Sequence, residues 1–564
     1  MAKSSPKHFF NKFANIHAPR SRFDMSFVNT RTIQADYLYP VRAIPVIPGD
    51  TWSYEVDSFI RMLSPLDVPM MDNMYCTYHC WFVPWRLVWD YTKNFFGEQR
   101  RPDDPTDFTI PTILFDSTAS DVTSGATYNP ATTPDAGLPK VKSIYDYFDI
   151  PIVGTDGALT GSFTINALPL RSYNLIFDEW YRDEQRVSYS YANFGNSQTT
   201  ADNYILLKRG KRFDYLTSST LTPQLGDPVS IPLGVSAPII RKTGYDVRDD
   251  ISFYNNNSTN IGLARFQNAD HTGANQVATA YVNNNNTVTK VSNGVLASPH
   301  LNVTHFAADL TTATPATIAT LRNAFQVQAF NEVRIKSGTR YTEFIYGLYN
   351  VISPDARLQR PEFLGECTFR LTTMPIVQQS ETNGTPQGTL AAIVSGGCNN
   401  RHLFTRSFTE HGYIIIIQNI FSDLTYYQGL DKHWSMSTLY DVPIPMFGNL
   451  TDAPIYKKEV VLTGTSQDDE TWGYNEIYAP YKYMRNTLNG LVRPNAPLTI
   501  GQWSLAQQLG SNPGNNSAFI TSNTPVSRIV AVTDEDQFIC NHRFKGNVVR
   551  ELPQYSNPMK WFNA

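Results

Sequence analysis

The 564-residue sequence predicts a mainly β protein, a β-sandwich or barrel whose connections carry large helical and loop insertions. Three observations lead there. Stretches rich in β-branched and aromatic residues, some alternating apolar with polar positions, sit early and late in the chain. Helical signatures fall in the long stretches between them. The strand candidates also do not alternate closely with helices, as a doubly wound parallel sheet would require.

In chain order, Thr51–Leu63 is a strand in which Trp52, Tyr54 and Val56 alternate with polar neighbours, and Asn73–Val83 is an aromatic-rich one. Pro84 then opens a helix over Trp85–Phe96, and Lys142–Phe148 is another. Pro169–Glu184 starts with proline in the first turn and carries the stripe Leu170, Tyr173, Ile176, Phe177 and Trp180. Thr314 as N-cap, Pro315 at the first helical position, and Ile318, Leu321 and Phe325 at helical spacing mark a helix to Ser337, stopped by Gly338. Strands follow at Glu366–Gln378, Gly412–Phe421 and Glu459–Leu462, then a helix at Thr499–Leu509. Strands at Val526–Thr533 and Gln537–Phe544 end the series. No Gly/Ser tract, charge block or repeat divides the chain, so one large insertion-rich unit is expected.

Aromatic residues make up 13% of the chain and charged residues only 17%. That balance excludes disorder, because it gives the chain ample apolar surface to bury. It fits a β-rich fold, and equally a subunit that hides surface against copies of itself. No apolar segment follows the basic N-terminus as a secretory signal would require, and none reaches the roughly 20 residues of a membrane span. Five cysteines suggest a reducing compartment. Cys76 and Cys80 on one strand face would lie about 13 Å apart, too far for a disulfide, with His79 on the opposite face. No metal site is expected.

Charge is distributed unevenly. Across residues 1–31, Lys3, Lys7, Lys12, Arg20, Arg22 and Arg31 stand against Asp24 alone, a net of +5. From Cys540 onward, Arg543, Lys545, Arg550 and Lys560 stand against Glu551, a net of +3. The overall −4 therefore leaves −12 on the body. Two basic ends on an acidic body point to an anionic partner at both.

Phosphate-binding loops, nucleophile elbows, zinc helices and dinucleotide fingerprints are absent. Glu410 and His411 lack a third partner. Asp178, Glu179, Asp183 and Glu184 are interleaved with Arg171, Arg182 and Arg186, a pattern expected to form a salt-bridge network at a subunit contact or a solvated face rather than a catalytic pair. Lys208–Arg212 places four cations around Gly210, suited to a carboxylate-rich neighbour or a phosphate. Arg340, Arg357 and Arg360 lie in a Pro-bounded stretch suited to planar, bidentate carboxylate contacts. Residues 251–320 carry only Arg265, Asp270, Lys290 and Asp309 as charges and are rich in Asn, Thr and Ala, as a compact projection would be.

Seven blocks carry a resemblance: PRSRFDMSF (Pro19–Phe27), VIPGDTW (Val46–Trp52), FVPWRLVWD (Phe82–Asp90), LRSYNLIFDEWYRDEQ (Leu170–Gln185), RGKRFDYLTS (Arg209–Ser218), the run Thr314–Glu366, and DLTYYQGL (Asp423–Leu430). In this order they resemble the major capsid protein of gokushovirus-type microviruses, small phages with single-stranded DNA. Phe115–Pro139 and residues 251–314 show no such likeness.

The resemblance implies an eight-stranded viral jelly roll, an antiparallel β-sandwich with large helix- and loop-containing insertions. Residues 1–31 would be a basic arm and 32–564 a single jelly-roll domain, with 251–314 a protrusion at the threefold axes used in host attachment. Sixty copies would form a T=1 icosahedral shell around a circular single-stranded DNA genome, assembled in the host bacterial cytoplasm and residing in the virion. A small basic DNA-condensing protein, a minor pilot protein and a host surface receptor would be further partners. No enzymatic activity and no cofactor are implied. Lys3, Lys7, Lys12, Arg20 and Arg22 are expected to face DNA. Arg209, Lys211, Arg212, Arg340, Arg357 and Arg360 are expected at subunit contacts. The rival is a carbohydrate-binding or carbohydrate-active β-sandwich protein, which predicts a secretion signal and facing carboxylates; neither is evident. A stand-alone single-stranded DNA-binding protein should have a more basic body.

Overall fold

A computed structural model describes residues 19–105, 107–117, 138–152, 161–190, 193–227, 318–377, 390–448, 452–533 and 535–555, a few isolated positions, and short strands between 239 and 308. The chain divides into two compact units, Met1–Leu225 with Glu332–Ala564, and Gly226–Asn331.

The larger unit is built on nine strands: β1 (Ser21–Asp24), β2 (Phe27–Ile33), β3 (Tyr39–Val46), β4 (Thr51–Met62), β5 (Met74–Pro84), β6 (Glu362–Val377), β7 (Leu390–Ser407), β8 (Gly412–Ser422) and β9 (Phe538–Arg550). All pair antiparallel in the order β1-β9-β4-β7-β6-β5-β8-β3, with β2 also along β9. The sheet curls on itself where β6 and β7 meet. Their hairpin pairs over Thr372–Val377 and Leu390–Ser395, after which β6 joins β5 and β7 joins β4. The outcome is mainly β, as the strand pattern predicts, and consistent with the jelly-roll sandwich that the resemblance implies, with an eight-strand path joined by β2 as a ninth. Its two longest excursions, Pro84 to Glu362 and Ser422 to Phe538, carry the helices and loops.

Strand patterning explains the layers. On β4, Trp52, Tyr54, Val56, Ser58, Ile60 and Met62 are buried while their neighbours are not. β9 buries Phe538, Cys540, His542, Phe544 and Val548 in the same rhythm. These are half-wet strands with one face on the core. β8 (GYIIIIQNIFS) is buried along nearly its whole length because both faces are covered. A helix α1 (Leu168–Trp180) lies outside β5: Trp180 packs 4.7 Å from the Trp81 ring, and Tyr181 Oη meets His79 Nδ1 at 2.5 Å. Cys76 and Cys80 face the core instead, and all five cysteines are free and buried.

Between the layers lies a closed polar network. Tyr78 Oη is 2.8 Å from both Ser58 Oγ and His542 Nδ1, and His542 Nε2 is 3.1 Å from Gln418 Oε1. With Nε2–H donating to Gln418, Nδ1 accepts from a hydroxyl, so a neutral imidazole satisfies every polar group. Burial, with Arg31 nearby, pushes the His542 pKa well below its ordinary value.

Several expected elements differ. Glu459–Leu462 is not a strand but overlaps the one-turn helix Lys457–Val460, whose Glu459 carboxylate turns back to accept from Tyr456 N at 3.0 Å. Val526–Thr533 holds a 3-10 turn, Val526–Arg528, after Pro525. Thr499–Leu509 is helical only as the 3-10 turn Gly501–Trp503, because the Asp72 carboxylate captures Leu505 N. Trp85–Phe96 is reduced to the turns Trp85–Leu87 and Thr92–Phe95, which bury Val88 and Trp89 between them. The acid–arginine cluster of α1 is partly buried within the chain, with Glu179, Asp183, Glu184 and Arg186 half-exposed. Asp178, Arg171 and Arg182 are buried; Arg182 pairs with Asp178 at 3.6 Å and Arg186 with Asp183 at 2.8 Å.

In the second unit, Ile251–Tyr254 pairs with Asn260–Ala264 and with His300–Leu301, Tyr281–Val282 with Val288–Thr289, and Ile239–Arg241 with Phe306–Ala308. Among the described residues, no helix is long and apolar enough to cross a membrane.

Candidate functional site

Five of the six cations singled out for subunit contacts converge on one groove of 720 Å³ in the larger unit. Arg209, Lys211, Arg212, Arg340 and Arg360 all line it. Three elements bring them together: the end of α1, the segment Lys208–Phe213, and the helix α2 (Tyr341–Tyr349) with the single turn that follows, Asp355–Leu358.

The basic segment is held by its backbone. Arg209 N donates to Asp36 O at 3.0 Å, and Lys211 N to Ile520 O at 2.7 Å. Gly210 passes so close to α1 that a β-carbon there would sit 2.9 Å from Tyr181 O. Glycine is therefore required by close approach. The side chains then rest on aromatic faces: Arg212 3.8 Å above Phe421, Lys211 4.4 Å above Phe519, and Arg209 between Tyr181 and Phe421. Among the described residues none of the three has a carboxylate within ion-pair distance. Arg209 Nη1 is buried without an acceptor. Burial lowers the Lys211 pKa to about 8, against the opposing pull of Asp214 and Asp36.

Arg340 and Arg360 are engaged inside the chain. Arg340 Nη2 donates to Asp178 O at 2.8 Å and Arg182 O at 3.0 Å; Nη1 donates to Glu343 Oε1 at 3.2 Å and lies 3.7 Å from Glu184. Glu343 accepts in return from Arg340 N, so the residue caps α2 and clips it to the end of α1. Arg360 pairs with Asp355 at 2.7 Å and stacks 4.2 Å from the Trp180 ring. Arg357 is exposed on its one-turn helix and does not line the groove.

Of the residues assigned to DNA, Lys3, Lys7 and Lys12 lie outside the described residues. Arg20 just before β1 and Arg22 on it are exposed; Arg20 donates to Gly49 O and Arg22 Nε to Asn547 Oδ1 at 3.2 Å. Arg31, counted with the same basic segment, is buried on β2 and donates to Pro40 O at 2.7 Å. The segment from Ser21 to Ile33 is thus largely sheet.

Sequence reasoning missed a second class of surface residue. The loops between β8 and β9 expose Trp434, Tyr440, Met446, Met484 and Leu498, with Met484 99% accessible. Large apolar residues without any period, set among Pro, Asn and Ser, were the available signal.

Matching against known proteins gives one family and several full-length relatives. A family described as "Capsid protein (F protein)" matches residues 11–560. The chain is 34% identical to "Capsid protein VP1" of Bdellovibrio phage phiMH2K and 32% to that of Chlamydia phage 1, and 28% to that of Spiroplasma virus 4. Each of these covers 98% of this chain and 97% of the relative. A β-sandwich without a recognisable catalytic motif, a groove of arginines and matches along nearly the whole length agree: the chain belongs to the capsid protein (F protein) family.

Proposed function

We propose that this chain is the major shell subunit of a small bacteriophage and that sixty copies close into a T=1 icosahedron around a circular single-stranded DNA genome. The observation that carries the self-assembly part is apolar surface left uncovered on ordered elements. The helix Ile318–Ser337 buries only Ile335 and leaves Ile318 and Phe325 exposed, at 76% and 66%. Tyr341, Tyr346 and Tyr349 of α2 and the β8–β9 loop residues add to it. A stable monomer rarely displays so many large side chains, whereas copies packed side by side would bury each for about 1.5–3 kcal/mol.

The basic first 22 residues support an inward role against DNA, since cations placed there relieve phosphate repulsion. The Asn-rich, charge-poor segment 251–314 supports an outward role in attachment to a host receptor. A DNA-condensing protein and a pilot protein would complete the particle. The test is nuclease protection. Particles purified after infection should shield a circular single strand that becomes digestible on dissociation. Particles whose DNA is digested while intact would remove the enclosing role.

A further inference from the structure

We propose that Arg209, Lys211 and Arg212 form a receiving site for carboxylates on a loop of a second copy of this chain, seated in the groove between α1 and α2. The inference deepens the shell-subunit reading and rests on it.

The groove holds two kinds of cation. Arg340 and Arg360 are paired with carboxylates of the same chain and Arg340 also with two carbonyls, although Arg340 Nε is buried without an acceptor, and they fix the walls. Among the described residues, the side chains of Arg209, Lys211 and Arg212 meet only aromatic faces. Lys211 is 8% exposed, and one Arg209 nitrogen is fully enclosed without an acceptor. Lys211 is buried and Arg209 half-buried without a counter-charge, which is unfavourable and only partly offset by an aromatic face, whereas Arg212 is exposed. An anion entering the groove would complete all three at once.

The groove favours a protein carboxylate over a DNA phosphate for two reasons. Phe213, Val351 and Ile352 stand exposed at the same groove, and an apolar rim around a charged centre suits a loop with side chains of its own. Glu179, Asp183 and Glu343 also line the groove, so it is not the continuous cationic track that a phosphate backbone follows. With −12 on the body outside its two ends, the chain supplies acidic loops in every neighbouring copy.

The test uses intact particles and a water-soluble carbodiimide, which joins an amine to a carboxylate in contact with it. Carbodiimide activates the carboxylate and so removes its charge, which leaves the contacting Lys211 amine free to couple to it. The expected product is a dimer-sized species in which Lys211 is joined to an Asp or Glu of a second copy. It should be found by peptide mass mapping, absent from dissociated subunits, and lost in Lys211→Gln particles. Three results would overturn the proposal: Lys211 joined only within monomer-sized chains; Lys211 uncoupled in particles although reductive methylation reaches it; or Lys211 shielded from both reagents in filled particles and open in emptied ones, which would assign the groove to DNA. The wild-type measurement needs no variant, so poor folding of a substituted chain does not leave the question open.

Discussion

Replacing Arg340 by lysine separates an internal clamp from an intersubunit contact. The guanidinium ties two carbonyls at the end of α1 to the Glu343 cap of α2, and only 17% of its side chain is exposed. Lysine keeps the charge but has no planar fork, so it can hold at most part of this set. Hydrogen bonds from a charged donor contribute about 1.5–3 kcal/mol each, and losing two of them, with some contact retained, amounts to about 3 kcal/mol. That loss falls on local opening of α2 rather than on the sandwich, which α2 does not help to form. Ten-fold per 1.4 kcal/mol then predicts about a hundred-fold faster amide hydrogen exchange over Tyr341–Tyr349 in isolated subunits, with β4, β8 and β9 unchanged. Unchanged exchange in α2 together with failed assembly would refute the clamp and place Arg340 at the interface.

Other perturbations test separate parts of the account. His542 is neutral in the fold with a pKa well below 6.5, so its contribution is fully present above the unfolded value and is lost as pH falls below about 6.5. Between pH 6.5 and 4.5, urea unfolding of wild-type subunits should lose up to about 1.4 kcal/mol per pH unit more than His542→Gln; parallel slopes would contradict it. Changing Lys3, Lys7, Lys12, Arg20 and Arg22 together to Gln should reduce DNA retained per particle while β1 still pairs with β9; equal DNA content removes the inward role. Replacing residues 251–314 by a short Gly/Ser connection should leave particles that assemble and adsorb poorly, whereas folded subunits that never assemble would make the segment a structural lock.

Legibility in the sequence followed the physics of each element. β4 and β9 announce themselves because one face is wet, and Ile414–Ile417 of β8 because both are dry. β3 was hidden by Pro40 and Pro45, which would break a central strand but are tolerated where β3 pairs only with β8 and forms the sheet edge. β7 was hidden by its glycines and by register shifts at Cys398/Arg401 and His402/Phe404, which interrupt any alternation. The helix Ile318–Ser337 was legible from its apolar spacing, yet that stripe is largely exposed, so spacing alone could not tell what it packs against. Residue type alone marks the arginines of the groove. That Arg209–Arg212 meets Arg340 and Arg360, more than a hundred residues away, required the fold. So did the division between cations engaged within the chain and those that are not.

The mass of the purified assembly tests the central claim most directly. Sixty copies of a 63.6 kDa chain make a protein shell of about 3.8 MDa, and charge-detection mass spectrometry of emptied particles resolves such a count. A sixty-subunit shell has that mass, with the exposed apolar elements protected from exchange in the particle and open in the subunit. A stable 63.6 kDa monomer at high concentration, or a closed assembly of a different copy number, would contradict it.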